Sequence, residues 1–271
     1  MRQTTSSSRR SRRTRKARAG GARDLAVRRK TAARQSAPAS PALLRGLTER
    51  VLYRDRDLVV LDKPAGIPVH AGPSGGPALE AALEALRFDA RAAPSLAHRL
   101  DRDTSGCLVL ARRRSALRRL QALFAEGRIE KTYWAVLQGS LKAESGLVEL
   151  AIRKLNRKDG WKMVIDPAGQ AAVTDWRVLG RGHGLTWIEC RPKTGRTHQV
   201  RVHCAALGCP ILGDPVYGSK ATSARDEIPL HLHARALSIP FLPDGPPITV
   251  MAPVPVAMRK ALSACGWQEE E

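Results

Sequence analysis

The amino-acid sequence predicts an α+β fold in which short strands outnumber helices. Four apolar runs have the length and the β-branched or aromatic content of buried strands, at residues 58–61, 107–110, 132–137 and 185–190. Three other segments repeat apolar residues at helical spacing. The first 45 residues show neither pattern, so the sequence predicts a basic, disordered tail over residues 1–45 and a single folded domain over residues 46–271.

Each predicted helix has an apolar face and a recognisable end. The first spans residues 77–87 and begins with Pro77, which is favourable in a first turn. The second spans residues 113–126 and stops before Gly127, and the third begins with Thr197 as its N-cap. The three apolar faces consist of Leu79, Leu83 and Leu86, then Leu117, Leu120 and Phe124, then Val200, Cys204 and Leu207. This arrangement puts Arg201 at the edge of the core.

The charge of the chain is strongly positive and unevenly distributed. The net charge is +21, and residues 1–40 contribute +12 of it, because they hold thirteen Lys or Arg and one acid, Asp24. A surface of this sign attracts polyanions, and RNA or DNA is the commonest such partner. Anionic membrane surfaces are the competing interpretation.

The sequence gives no sign of membrane insertion or secretion. No apolar run approaches the roughly 18 to 20 residues that span a bilayer, and the N-terminus lacks the apolar core of a secretory signal. We therefore expect a cytoplasmic protein. The Arg-rich, Ser-rich and acid-poor start is also typical of an organelle transit peptide, although a disordered RNA-binding arm is the favoured interpretation.

The cysteines and histidines do not form a recognisable metal site. The five cysteines lack CxxC pairing, and we expect reduced thiols. His198 and His203 are five residues apart, and no HExxH motif occurs. Phosphate-binding loops of the GxxxxGK[ST] or GxGxxG type in a strand-to-helix setting are also missing. The sequence therefore predicts no metal and no nucleotide cofactor.

Two polar clusters carry most of the chemistry in this chain. The first, residues 98–106, reads His-Arg-Leu-Asp-Arg-Asp-Thr-Ser-Gly and lies between apolar segments. The second, residues 193–203, reads Lys-Thr-Gly-Arg-Thr-His-Gln-Val-Arg-Val-His. Ionised groups between apolar runs are costly unless they are paired or wanted at a site. We expect the two clusters to form two walls of one pocket.

Three residues in or between these clusters are candidates for chemistry. Asp101 lies on a predicted turn into a strand, where a carboxylate beside guanidinium groups stays ionised, although an Asp also commonly caps such a turn. Arg201 could pair with a buried carboxylate or be a solvated helix residue. Tyr133 could stack on a base or simply pack in a strand. From the residue types alone these alternatives stay open.

The motifs together resemble those of the RluA-type pseudouridine synthases. The resemblance covers residues 47–255, and it rests on five segments in order and at fitting spacing: 61–66 (Leu-Asp-Lys-Pro-Ala-Gly), 98–106, 131–139 with Lys-Thr-Tyr at its start, 194–203, and 213–218 (Gly-Asp-Pro-Val-Tyr-Gly).

The resemblance implies a large mixed, mainly antiparallel sheet with flanking helices and an active-site cleft across its middle. It implies a cofactor-independent isomerase of uridine in ribosomal RNA or tRNA, in which Asp101 is catalytic. Arg201 pairs with this aspartate, and Tyr133 stacks on the target base and is linked to proton abstraction at carbon 5. Further substrate-binding residues on the matching motifs are His98, Arg99, Lys131, Arg196, His198 and Val200, the last in place of the usual leucine or isoleucine beneath the base.

Two points qualify what the resemblance implies. Many relatives carry an S4-type RNA-binding domain ahead of the catalytic part, and residues 1–45 are too short and too poor in apolar residues to form one. The basic tail is therefore expected to supply RNA affinity to a monomeric enzyme. A catalytically retired RNA-binding or ribosome-assembly protein of the same fold is the alternative, while a hydrolase using Ser105 or Cys204 lacks a nucleophile elbow.

Overall fold

The central strands of the sheet are buried along nearly their whole length, which requires cover on both faces of the sheet. The computed structural model describes residues 46–71, 76–157, 160–218 and 228–269, which all belong to one compact unit within residues 36–271. The predicted tail over residues 1–45 lies outside the described residues. The described strands and helices are β1 (Val51–Arg54), β2 (Leu58–Lys63), a 3-10 helix (Leu79–Leu86), β3 (Ser95–Leu96), β4 (Ser105–Ala111), α1 (Arg114–Ala125), β5 (Glu130–Gln138), β6 (Ser145–Glu149), β7 (Ile152–Arg157), β8 (Gly160–Ile165), β9 (Val173–Gly182), β10 (Leu185–Pro192), α2 (Gln199–Ala206), β11 (Leu232–Ile239), β12 (Ile248–Met251) and α3 (Val256–Ala264).

Ten of the described strands form one sheet, in the order β1-β2-β4-β11-β5-β10-β9-β6, with β3 on β4 and β12 on β11. Only the β4–β11 pair is parallel among the described pairings, and the other neighbours are antiparallel. Strands β7 and β8 form a separate hairpin. The predicted large, mainly antiparallel mixed sheet is therefore confirmed.

The core has layers on both sides of this sheet. Leu58 and Val60 of β2 pack with α1 on one face, whereas Val59 and Leu61 pack with the 3-10 helix on the other. Strand β4 is buried along its whole length, which explains its uninterrupted apolar sequence. Farther along the sheet, α2 and α3 cover opposite faces of β5 and β10.

All four predicted strands lie within β2, β4, β5 and β10, and the predicted helix at 113–126 is α1. The prediction for residues 77–87 was wrong at its start. Pro77 precedes the helix, because the N–H groups of Leu79 and Glu80 donate to the carbonyls of Pro68 and Val69, 2.9 and 3.1 Å away. These bonds join the start of the 3-10 helix to an upstream segment.

The N-cap predicted for the third helix was also wrong. Helix α2 begins one residue later, after His198, which has a left-handed backbone with φ 55° and makes no side-chain capping bond. The hydroxyl of Thr197 instead accepts a hydrogen bond from the Arg99 guanidinium. Thr197 therefore links the two polar clusters, and the backbone at His198 is strained.

Candidate active site

The two polar clusters of the sequence meet in one cavity of about 450 Å³. The turn before β4, the start of β5, the loop after β10, the start of α2 and the end of α1 all contribute to its wall. The lining residues include every predicted site residue: His98, Arg99, Asp101, Lys131, Tyr133, Arg196, His198, Val200 and Arg201. A cavity of this size is within the range of small-molecule and nucleotide sites.

The turn that carries Asp101 is fixed by a fully buried lysine. The ammonium of Lys63 donates to the carbonyls of Pro64, Arg102 and Thr104, each 2.9 Å away. The N–H of Thr104 donates to the Asp101 carbonyl at 3.2 Å and closes the turn. Burial lowers the pKa of Lys63 to about 8, although nearby aspartates oppose the shift. Lys63 thus holds Asp101 in place without touching its carboxylate.

Arg201 joins two aspartates across the base of the site. Its Nε and Nη2 donate to the two carboxylate oxygens of Asp214 at 2.7 and 2.8 Å, and its Nη1 lies 3.4 Å from Oδ2 of Asp101. The Arg201 and Asp214 side chains are 4% and 0% exposed, compared with 23% for Asp101. The predicted pairing of Arg201 with Asp101 is present, but the tighter, bidentate pair is with Asp214.

The charges of this buried pair stabilise each other. Burial tends to raise the pKa of Asp214, but hydrogen bonds from Arg201 and from the N–H groups of Val216 and Tyr217 hold it below its usual value. Burial tends to lower the pKa of Arg201, and Asp214 and Asp101 keep it above its usual value. Arg201 is therefore a fixed cation that presents one N–H to Asp101.

His198 lies between Asp101 and an aromatic cluster. Its Nε2 is 3.8 Å from Oδ2 of Asp101, and its Nδ1 is 2.9 Å from the Tyr217 hydroxyl. Its ring stacks on Trp161 of β8, with centroids 5.1 Å apart. Burial lowers the pKa of His198, against the opposing effect of Asp101. A neutral imidazole in this position can donate or accept a hydrogen bond at the floor of the site.

Tyr133 and Lys131 extend from β5 into the cavity. Burial raises the pKa of Tyr133, and the charge of Asp101 adds to the rise. The phenol is therefore neutral at physiological pH. The ammonium of Lys131 donates to the Thr194 carbonyl at 3.0 Å, and burial lowers the pKa of Lys131 to about 8. Lys131 thus joins β5 to the second polar cluster.

The remaining predicted residues differ in their exposure and in whether their side chains already make hydrogen bonds. Arg99 is exposed at the rim, Val200 is buried beneath the cavity, and Nε of Arg196 donates to the Ala171 carbonyl at 3.1 Å. His98 has a structural bond, because its Nε2 accepts the N–H of Val109 at 3.0 Å. Burial lowers the pKa of His98 to about 3, so its ring stays neutral.

Sequence reasoning missed several residues of this site. Lys63 and Asp214 lie in segments that carried the resemblance, but an isolated sequence does not say which buried charges meet. Asp214 follows Arg201 by thirteen residues across a loop, and Trp161 comes from a hairpin without a recognisable motif. Thr104 lines the cavity with a buried hydroxyl that has no hydrogen-bond partner among the described residues.

The described residues contain no group of three or more His, Cys, Asp or Glu that could hold a metal ion. The five cysteines are buried and unpaired. Within the same ranges, no helix has both the length and the apolar character needed to cross a membrane.

Comparison with known proteins agrees with the geometry. The sequence profile of the RNA pseudouridylate synthase family matches residues 57–206. An uncharacterised RNA pseudouridine synthase of Zymomonas mobilis is 45% identical over 78% of this chain and 96% of its own length. Ribosomal large subunit pseudouridine synthase C of Salmonella typhimurium is 35% identical over 86% of this chain and 76% of its own length.

A solved structure supports the same assignment. Human RNA pseudouridylate synthase domain containing 4 superposes with a TM-score of 0.71 at 30% identity, covering 85% of this chain and 98% of that one. These relatives do not favour the alternative of a retired RNA-binding protein. The chain belongs to the RluA-type family of RNA pseudouridine synthases, isomerases that convert uridine in RNA to pseudouridine.

Proposed function

We propose that this enzyme isomerises specific uridines of ribosomal RNA or tRNA, with Asp101 as the catalytic carboxylate. The observation that carries the proposal is the geometry around Arg201, whose guanidinium is held by Asp214 and presents its free edge to Asp101 at 3.4 Å. The relatives named ribosomal large subunit pseudouridine synthase C support ribosomal RNA as the first substrate to test.

The reaction needs the N1–C1′ glycosidic bond broken, the uracil rotated and a C5–C1′ bond formed, with loss of the proton at carbon 5. N1 gains a proton as carbon 5 loses one, so no atom is gained or lost overall and no net redox change occurs. We therefore propose that the chemistry needs no cofactor. Asp101 either attacks the sugar or removes a proton from it to give a glycal-like intermediate. In both routes Arg201 orients the carboxylate through the N–H that faces it at 3.4 Å, and is a positioning residue.

The cavity has the parts needed to hold a base outside the RNA stack. Extruding a nucleotide costs a few kcal/mol, which aromatic stacking and phosphate contacts offset. We assign the stacking role, and contact with the proton leaving carbon 5, to Tyr133, and apolar packing beneath the base to Val200. Arg99, at the exposed rim, enters the space that the base vacates. Lys131, Arg196 and His198 contact the substrate, whereas the main-chain bond of His98 suits a supporting role.

The basic tail and the cellular location belong to the same proposal. We assign residues 1–45 to electrostatic RNA binding by a monomeric, cytoplasmic enzyme, on the strength of their charge. A Xenopus tropicalis relative, 33% identical over 84% of each chain, is named as mitochondrial. A transit peptide is therefore the competing role for the tail, and imaging of a C-terminally tagged protein in its own cells separates the two.

Pseudouridine mapping tests the proposed function. Ribosomal RNA and tRNA from cells lacking the gene are compared with RNA from the parent strain, and the missing sites identify the substrate. We expect the wild-type gene to restore those sites, and the Asp101→Ala gene to leave them as uridine at equal protein level. Restoration by Asp101→Ala would contradict the catalytic assignment, and unchanged ribosomal RNA and tRNA would contradict the substrate assignment.

A further inference from the structure

A second cavity, of about 700 Å³, lies at the opposite end of β4 from the active site. It is lined by nine residues: Arg54, Asp55, Arg56, Asp89, Ala90, Arg91, Ala92, Arg112 and Arg113. We call it the arginine cavity. Five of these nine lining residues are arginines and two are aspartates, so the cavity carries a net positive charge.

The strand pairing explains how these residues meet. Ala111, the last residue of β4, pairs with Leu58 of β2 and with Ser95 of β3. The β1–β2 turn, the loop before β3 and the residues after β4 therefore converge at this end. Asp101 precedes the other end of β4, and seven strand residues separate the two sites by roughly 20 Å.

The two acids of the arginine cavity are already engaged. The Asp55 carboxylate accepts the Tyr53 hydroxyl at 2.8 Å and the N–H groups of Asp57 and Leu58 at 2.7 and 2.6 Å. The Asp89 carboxylate pairs with Arg112. Within the described residues, Arg56 and Arg91 form no ion pair. Their charges are therefore available to an anion from outside.

Arg112 gives this cavity a fixed donor. Its side chain is 8% exposed, and its guanidinium donates to the Asp55 carbonyl and to Asp89. The buried Nε of Arg112 has no hydrogen-bond partner among the described residues. A buried donor without an acceptor is unfavourable, and an acceptor oxygen of a bound anion can satisfy it.

The aromatic ring of Phe88 contacts one of these arginines. Phe88 is 36% exposed, and the Arg54 guanidinium lies over its ring at 4.4 Å. Its backbone has a positive φ of 50°, which is a strained conformation for this residue type. Exposed aromatic rings next to cations are a common platform for nucleic-acid bases.

We propose that the arginine cavity binds the phosphodiester backbone of the substrate RNA at a distance from the uridine being isomerised. The inference rests on the RNA substrate class assigned above and extends the RNA contact to the far end of β4. Arg56 and Arg91 supply charge, and Phe88 with Arg54 offers a stacking surface. Planar guanidinium groups match phosphate oxygens in pairs, which favours phosphate as the ligand group.

A charge-matched pair of double variants tests this site. Arg56→Ala/Arg91→Ala removes two exposed, unpaired arginines from the cavity. Lys142→Ala/Lys260→Ala removes the same charge from exposed positions that line neither cavity. Each full-length protein is assayed on a short stem-loop that contains the target uridine, and on the same stem-loop extended by about 20 nucleotides on each side.

We expect the arginine variant to raise KM about tenfold on the extended RNA, with unchanged kcat and unchanged KM on the short stem-loop. Its slope of log affinity against log salt should flatten by roughly 0.7 to 0.9 for each lost phosphate contact. The lysine variant should stay within twofold of the parent on both RNAs. Turnover of the parent in the same assay confirms the isomerase activity independently of this site.

An equal rise in KM on the extended RNA for the two double variants would overturn the proposal, because it would show a general effect of charge. An equal rise in KM on the short and the extended RNA for the arginine variant would also overturn it. Competition arms use inorganic phosphate and vesicles that contain anionic lipid. If vesicle binding depends on Arg56 and Arg91 while extended-RNA affinity does not, the site is a membrane contact and the proposal is wrong. If millimolar phosphate saturates the arginine cavity without lowering the affinity for the extended RNA, the cavity is a small-anion site and the proposal is wrong.

Discussion

At the residue scale, separate groups position the backbone and the carboxylate of Asp101. Lys63 fixes the carbonyls around its turn, and Arg201 faces its carboxylate while remaining bound to Asp214. The carboxylate itself stays 23% exposed in the cavity. The positioning groups Lys63 and Arg201 are buried, whereas we propose that the partly exposed carboxylate contacts the substrate. Substitutions of the two kinds should therefore differ in their effects on stability and on turnover.

Replacing Asp101 by Ala or Asn should abolish turnover and leave RNA affinity almost unchanged, because phosphate contacts elsewhere supply the binding. We expect a loss of at least 1,000-fold in single-turnover rate, or roughly 4 kcal/mol in activation free energy. RNA affinity, measured by filter binding, should stay within threefold. A turnover within tenfold of the parent would contradict the assignment.

Replacing Asp214 by Asn should destabilise the fold as well as the site. The change leaves a buried Arg201 with a neutral partner, and breaking a buried pair costs roughly 3 to 5 kcal/mol. Glu84→Gln is the control, because the side chains of Glu84 and its partner Arg87 are 68% and 50% exposed and such pairs contribute under about 1 kcal/mol. Urea unfolding of both variants measures the difference. Equal losses of unfolding free energy in the two variants would contradict the role of Asp214 in holding Arg201.

The pH dependence of turnover should reflect lysine rather than histidine. The pKa of His98 is lowered to about 3, and the pKa values of Lys63 and Lys131 to about 8. We expect the single-turnover rate to be flat between pH 6 and 7.5 and to fall above about 8, as Lys63 loses its proton and one of its bonds to the Asp101 turn.

The stability of the fold provides the control for that pH profile. Lys63 titrates at about 8 in the folded chain and at 10.5 in the unfolded chain, so the unfolded state binds more protons between these values. Its linkage contribution therefore makes the folded state more stable as pH rises through this window. Activity should fall while this contribution to stability rises. A parallel fall in both would mean that unfolding, not loss of the Lys63 charge, limits the rate.

At the element scale, apolar runs predicted four of the twelve described strands, and they gave no information on the contacts between elements. Residues 107–110 could be recognised as a buried strand because both faces of β4 are covered. The N-cap at Thr197 was mispredicted, since its hydroxyl is taken by Arg99, 98 residues away in the chain. The same limit applies to Asp214, whose role depends on a tertiary contact with Arg201.

Gly106 shows how closely β4 and β11 approach next to the site. Its φ is 104°, and a Cβ there would lie 2.3 Å from the carbonyl oxygen of Ala234. Gly106→Ala should therefore separate the parallel pair and destabilise the fold by more than about 3 kcal/mol. Gly184→Ala is the control, because Gly184 has φ 73° and open space around it.

We expect Gly184→Ala to cost only the left-handed backbone penalty, about 1 to 2 kcal/mol. Thermal and urea unfolding of both variants measure the comparison. A cost for Gly106→Ala no larger than that for Gly184→Ala would show that the two strands separate easily. The pairing of β4 with β11 would then contribute little to the position of the Asp101 turn.

At the scale of the whole molecule, positive charge is present at three places that differ in role. The candidate active-site cavity contains Arg201 and Lys131, which we propose position Asp101 and bind the uridine, and the arginine cavity lies roughly 20 Å away at the far end of β4. The tail contributes +12 by sequence. We propose that all three places contribute to RNA affinity, and variants of each measure their separate contributions.

Deleting residues 2–40 should weaken RNA affinity and flatten its salt dependence, with little effect on turnover at saturating RNA. Each lost phosphate contact removes roughly 0.7 to 0.9 from the slope of log affinity against log salt. Asp101, Tyr133 and Arg201 stay in the retained domain, so the chemical step should be within twofold of the parent. Salt titrations of both proteins against one RNA make the measurement. Identical slopes would show that the tail does not contact RNA, and would favour the transit-peptide role for these residues.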